Sequence, residues 1–168
     1  MTLRALTPAD AAGYRALRAS SLAESPAAFS RAEAESEAVL AARFGEAAGG
    51  FTLGALAEGG ELAGFVSFTR ERGEKVAHKG FLTGRYVAPP WRGRDIGRRL
   101  YAELVGRVRA LSGISQLTPG VTAASPPAGA LYLSLGFRPH GVEPRALRVG
   151  GRYLDDELMV LELDARHP

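Results

Sequence analysis

Four arginines and two glycines crowd into one eight-residue stretch: Arg92, Gly93, Arg94, Gly97, Arg98 and Arg99, with Asp95 and Ile96 between them. The run Ala77 to Val87 before it reads as a strand, Ala88 to Arg94 as a loop, and the residues from Asp95 onward as a helix. A strand-loop-helix unit of this composition is suited to holding an anion. Free N–H groups at a helix start point outward, glycine lets backbone approach a phosphate, and arginine adds bidentate charge-assisted bonds. It is not a Walker loop, since no Gly-Lys-Ser/Thr follows, and the glycine spacing is wrong for a dinucleotide fingerprint. A solvated basic helix end would have the same composition, so the stretch alone leaves both readings open.

Other residues could move protons. Tyr132 carries a phenol with a reference pKa of about 10, protonated at neutral pH and able to meet a leaving group; it could equally be a core aromatic beside Leu131. His78 has the intrinsic pKa of a base, but Lys79 beside it and the charged turn before it point to an exposed rim. Cysteine is absent, which excludes disulfides, thiol nucleophiles and thiolate metal sites.

The elements that must position these groups can be read from pattern. The chain has 168 residues, 46% hydrophobic and 23% charged, enough for one ordinary domain with its own core. The N-terminus meets Pro8 and Asp10 before any apolar run, so no signal peptide is expected, and no stretch approaches the roughly 18 apolar residues of a spanning helix. A soluble, cytoplasmic protein without a membrane partner is the expectation. The net charge is +3, and basic residues concentrate only at Arg92 to Arg99. A nucleic-acid partner is not expected, because no aromatic-interleaved basic strand accompanies them.

Thr2 to Leu6 reads as a strand, and Thr7-Pro8-Ala9-Asp10 as the capped start of a helix reaching about Leu22. An Ala/Glu-rich helix is expected over Arg31 to Phe44. Phe51 to Ala57 and Glu61 to Arg70 form a hairpin around Glu58-Gly59-Gly60. After Asp95, Ile96, Leu100, Leu104, Val108 and Leu111 share one helical face. Ser115 to Thr122 contains Pro119-Gly120 and should therefore be an edge strand or carry a bulge. A short helix, Ala128 to Leu135, and two strands around Gly150-Gly151 complete the order β-α-α-β-β-β-α-β-α-β-β. An α/β (α+β) three-layer domain follows, with about seven mostly antiparallel strands and helices on both faces.

Two segments carry a family resemblance. Val87-Ala88-Pro89-Pro90-Trp91-Arg92-Gly93-Arg94-Asp95-Ile96-Gly97 resembles the pyrophosphate loop of the GNAT superfamily of N-acetyltransferases, written Gln/Arg-x-x-Gly-x-Gly/Ala. Ser125-Pro126-Pro127-Ala128-Gly129-Ala130-Leu131-Tyr132-Leu133-Ser134-Leu135-Gly136-Phe137 resembles its second signature: a capped short helix, Leu-Tyr, then Gly-Phe. The order and spacing of elements agree along essentially the whole chain. The resemblance implies acetyl-CoA as cosubstrate and transfer of its acetyl group to a primary amine of a small molecule or peptide. It implies pantetheine on the backbone of Arg85, Tyr86 and Val87, with an N–H near Val87 facing the developing oxyanion. Pyrophosphate would lie at Arg92, Gly93, Arg94, Asp95, Ile96, Gly97 and Arg98, with Ser125 on the cofactor arm. Tyr132 would be the acid. Glu33, Glu35 and Glu37 would lie at the acceptor lip, or simply on a solvated helix face, and no residue is singled out as base. Edge strands at either end could pair two copies in a homodimer. Two positions depart from the pattern: Ser125 replaces a common asparagine, and Asp95 replaces glycine. The Asp95 side chain is expected to cap the helix or to pair with Arg92 or Arg99. It also favours an alternative, a non-catalytic CoA-binding sensor.

Overall fold

Pro8 fixes φ at the start of a helix, and the residues around it supply the cap. In the computed structural model, which describes residues 1–24, 35–45, 49–119 and 126–163, β1 (Thr2–Ala5) ends just before this point. The Asp10 carboxylate accepts from the Thr7 backbone N–H at 2.7 Å and from its hydroxyl at 2.8 Å. Arg4 of β1 grips the same carboxylate with two bonds, of 2.7 and 2.8 Å. One turn of 3-10 helix, Pro8–Asp10, leads into α1 (Ala11–Glu24).

The second helix, α2 (Glu37–Gly45), is shorter at its start than expected. Glu35 and Ser36 precede it, and the Ser36 hydroxyl accepts the Val39 N–H at 3.3 Å. Residues 31–34 of the expected helix lie outside the described residues.

The strands β2 (Gly50–Leu56), β3 (Leu62–Arg70) and β4 (Lys79–Val87) are antiparallel neighbours. Then come α3 (Ile96–Arg109), β5 (Gln116–Pro119), α4 (Pro126–Ser134), β6 (Arg138–Val149) and β7 (Arg152–Glu162). The seven strands form one sheet in the order β1-β2-β3-β4-β5-β7-β6, antiparallel except for β4 with β5. Leu53, Val66, Phe68 and Leu82 face α3 and α4, where Leu100, Leu104 and Val108 bury the apolar stripe of α3. Leu56 and Phe65 face the other side, with Tyr14 of α1 and Leu40 of α2. Covered on both faces, β3 is buried continuously from Ala63 to Phe68 instead of at alternate positions, with the hydroxyl of Ser67 hydrogen-bonded to that of Thr52 at 2.8 Å.

Two sequence expectations fail here. Leu111 lies beyond the end of α3 and is 41% exposed, so the helical stripe stops at Val108. The strand with Pro119 is not at an edge; β5 lies between β4 and β7. It tolerates the proline because β7 pairs only with Gln116 and Leu117, leaving the side of Pro119 that needs no donor.

Candidate active site

The start of α3 combines glycine-like turns, exposed arginines and backbone N–H groups without protein acceptors among the described residues. Gly93 has φ +73, in the left-handed region open to glycine. Among the described residues, the N–H groups of Gly93, Arg94, Asp95, Ile96, Gly97 and Arg98 donate to no protein acceptor; the ladder begins with Arg99 N–H to Asp95 C=O at 3.0 Å. A Cβ at Gly93 would meet nothing within 4 Å, and one at Gly97 only a methyl of Val87 at 3.8 Å. The space over the helix start is therefore not filled by side-chain packing among the described residues. Arg94 stacks over Trp91 at 5.0 Å, while Arg98 and Arg99 are exposed beside the turn. Ile96 contributes its backbone only, since its side chain is buried in the core.

Asp95 adopts φ 59 and ψ 13, a left-handed conformation, and its side chain makes no capping hydrogen bond. It forms no ion pair among the described residues, so the expected cap and the expected pairing with Arg92 or Arg99 are both corrected. The reason is the backbone: the loop needs a glycine-like turn here, and aspartate is among the few other residues that accept it.

One residue inserted in β4 opens the site. Val66 pairs with Arg85 and Ser67 with Thr83, leaving Gly84 unpaired at φ +52. This bulge reverses the facing of the last residues of β4. Arg85 turns toward α4, its guanidinium 5.2 Å from the centre of the Tyr132 ring, and Tyr86 turns toward α1. On the other side, β5 pairs with β4 from Lys79 to Leu82, and among the described residues no strand pairs with that side of Thr83 to Val87, the backbone expected to hold pantetheine. A cavity of 430 Å³ opens there, reaching from Gly97 and Leu100 of α3 past Arg85 and Val87 to Glu24 of α1.

Two phenols meet at its wall. The Tyr101 and Tyr132 hydroxyls are 2.9 Å apart and their rings pack edge to face. Tyr101 lines the cavity, whereas Tyr132 stands directly behind it at 2% exposure. Burial pushes both phenols above their ordinary value, only partly opposed by the Arg85 charge, so both stay protonated at neutral pH.

A third cluster lies on the α1 side. Glu24 accepts from the Tyr86 hydroxyl at 2.5 Å and from Arg92 at 2.7 and 2.9 Å. Arg92 also donates from Nε to the Val87 carbonyl at 2.9 Å. Its guanidinium is thus turned to Glu24, away from the open N–H groups that follow it in sequence. Tyr86 and Arg92 hold the Glu24 carboxyl below its ordinary range.

Other candidates lie elsewhere. His78 precedes β4 at the end opposite Val87, exposed, its carbonyl engaged by the Ser115 and Gln116 N–H groups. Glu35 pairs with Arg43, and Glu37 opens α2; Glu33 and Ser125 lie outside the described residues. Tyr101 and Glu24 were missed by sequence reasoning. Tyr101 falls on the apolar stripe of α3, and Glu24 is a helix-terminal residue whose partners are 62 and 68 positions away. A glutamate just before Ser25-Pro26 was the one available signal.

Solved structures with this fold carry acetyl-CoA. Phosphinothricin acetyltransferase (Pat) from Sinorhizobium meliloti, in complex with AcCoA, is 29% identical at TM-score 0.82, over 96% of this chain and 87% of that one. The yncA protein from Salmonella typhimurium, with its cofactor acetyl-CoA, is 26% identical at TM-score 0.87, over 100% and 96%. Ribosomal-protein-alanine N-acetyltransferase from Brucella melitensis is 27% identical at TM-score 0.81, over 96% and 99%. No match is found among the curated proteins. The profile of the Acetyltransferase (GNAT) family spans residues 14–137, from α1 through the helix-start cradle to Phe137. With fold, loop and profile in agreement, the chain belongs to the GNAT acetyltransferase family.

Proposed function

We propose that this protein moves the acetyl group of acetyl-CoA onto a primary amine of a small molecule or peptide, by direct attack in a ternary complex. The observation that carries the reading is one cavity lined together by Gly97 at the start of α3, by Arg85, Tyr86 and Val87 of β4, and by Tyr101 of the tyrosine pair. Acetyl-CoA supplies a thioester whose carbonyl carbon bonds to the amine nitrogen as its C–S bond breaks. The N–H groups of Gly93 to Arg98, with Arg94 and Arg98, hold the pyrophosphate. The open edge at Arg85, Tyr86 and Val87 lines up the pantetheine as an added strand, with an N–H near Val87 facing the oxyanion.

Tyr132 supplies the proton to the departing sulfur by way of the Tyr101 hydroxyl, which lines the cavity 2.9 Å in front of it and is reprotonated by Tyr132 as it gives up its own proton. The surplus proton of the amine leaves to water, and water reprotonates the phenol. A reaction in the cytoplasm and a homodimer contact through the edge strands β1 and β6 belong to the same reading. The non-catalytic sensor is the less favoured alternative, because Asp95 keeps the loop in a glycine-like path. Release of CoA thiol from acetyl-CoA with a mixed panel of primary amines tests the proposal. Tight acetyl-CoA binding with no amine-dependent thiol release would favour the sensor.

A further inference from the structure

Among the described residues the carboxylate of Glu24 is the single acidic group on the cavity wall, and a cation already sits on it. Arg92 fills both oxygens, at 2.7 Å to Oε1 and 2.9 Å to Oε2, and the Tyr86 hydroxyl adds a third bond at 2.5 Å. One guanidinium nitrogen, Nη2, makes both contacts and thus stands where the nitrogen of an ammonium would. Glu24 is 37% exposed and Arg92 46%, and an ion pair this exposed holds its partners weakly. Arg92 is also rooted beside a second anion site. Its Nε is tied to the Val87 carbonyl at 2.9 Å, and Gly93, the next residue, is the first of the open N–H groups at α3. One arginine is therefore poised between a single carboxylate charge and the place of a more highly charged pyrophosphate.

We propose that Glu24 is the binding site for the acceptor's ammonium group, and that Arg92 covers it until pyrophosphate draws the guanidinium onto the α3 cradle. This rests on the reading that α3 binds pyrophosphate. Capture of the donor then uncovers the carboxylate, with the Tyr86 hydroxyl still holding Oε2 in place, so the donor binds before the acceptor. The walls around Glu24 define the rest of the acceptor. Phe65 and Tyr86 lie 6.4 Å apart by ring centres, and Val66 and Leu131 also face the cavity. The chemistry is that of a cationic primary amine on an apolar or aromatic body. An acidic acceptor would place like charge on Glu24.

The test measures binding rather than turnover. CoA is titrated calorimetrically into wild type, Glu24→Gln, Arg92→Ala and the double variant. Glu24→Gln frees Arg92 and should tighten CoA by about two- to fivefold, the span of an exposed ion pair. Arg92→Ala should weaken CoA, and the Gln substitution should add nothing in the Ala background. Benzylammonium and its neutral match, benzyl alcohol, are then compared by saturation-transfer NMR. Benzylammonium contact should be strong only with CoA bound and should fall at least severalfold in Glu24→Gln, with benzyl alcohol unaffected. Wild-type CoA affinity in Arg92→Ala overturns the pyrophosphate role of Arg92, and the exchange with it. Weaker CoA in Arg92→Ala with unchanged CoA in Glu24→Gln overturns the exchange alone. Equal signals from the two probes, or no benzylammonium signal with CoA present, overturns the ammonium site.

Discussion

Asp95 and the tyrosine pair show how much one residue's setting decides. Asp95 occupies a left-handed turn that costs a non-glycine residue roughly 1–2 kcal/mol, and its carboxylate gains no cap or ion pair in return. Asp95→Gly should therefore raise the melting temperature and tighten acetyl-CoA at the same time, measured by calorimetry on both counts. A lower melting temperature would mean that the carboxylate holds the helix after all. For Tyr132, the Phe variant keeps a ring packed against Tyr101 and Phe137 and removes only the hydroxyl. Single-turnover acetyl transfer should slow by about 10²–10⁴-fold with CoA affinity near wild type. Tyr101→Phe interrupts the same path from Tyr132 to the cavity and should slow transfer comparably. A slow Tyr101→Phe beside a Tyr132→Phe as fast as wild type would make Tyr101 the acid by itself.

Helices and strands were legible wherever a period or a cap spoke for them. Thr7, Pro8 and Asp10 mark the start of α1 in sequence, and the structure adds Arg4, which no local pattern could supply. The Arg4 hydrogen bonds hold the Asp10 carboxyl well below the usual carboxylate range, helped by the Thr7 N–H and hydroxyl and opposed by burial. A depressed folded-state value means the contribution is present above the unfolded value of about 3.9 and is lost as pH falls below it. Asp10→Asn should then cost about 1 kcal/mol at neutral pH, with the gap to wild type closing progressively below about pH 4, read by denaturant titration. The glycines and arginines at the start of α3 stand out in the sequence by type, and the structure leaves the N–H groups there without protein acceptors among the described residues. Gly97→Glu should abolish acetyl-CoA binding while the fold survives, since a Cβ there meets only Val87 at ordinary contact distance. Unchanged affinity in that variant would remove the cradle assignment. The Gly84 bulge was not legible. It exists in the register between two strands, and without it the facing of Arg85 and Tyr86 reads backwards.

Across the molecule, what sequence could not supply is long-range pairing: Tyr101 with Tyr132, Glu24 with Tyr86 and Arg92, and the interior position of β5. That last feature has a dynamic consequence. Among the described residues β5 joins β7 through the Gln116–Glu162 and Leu117–Leu161 pairs, with one more bond from the Leu163 N–H to the Ser115 carbonyl at 2.9 Å, so the sheet has a narrow seam between β1–β4 and the β6–β7 hairpin. Cooperativity should be weakest across such a seam, and each side is a natural unit of sub-global opening. Amide hydrogens of the hairpin should exchange at a lower opening free energy than those of β2 and β3. Tyr132 and Phe137 lie in sequence between β5 and β6 and pack on core residues from both sides of the seam, Val66 and Leu82 together with Met159 and Leu161. A ligand seated against β4 and α4 would clasp the two units, so CoA should slow exchange in β7, on strands it does not touch.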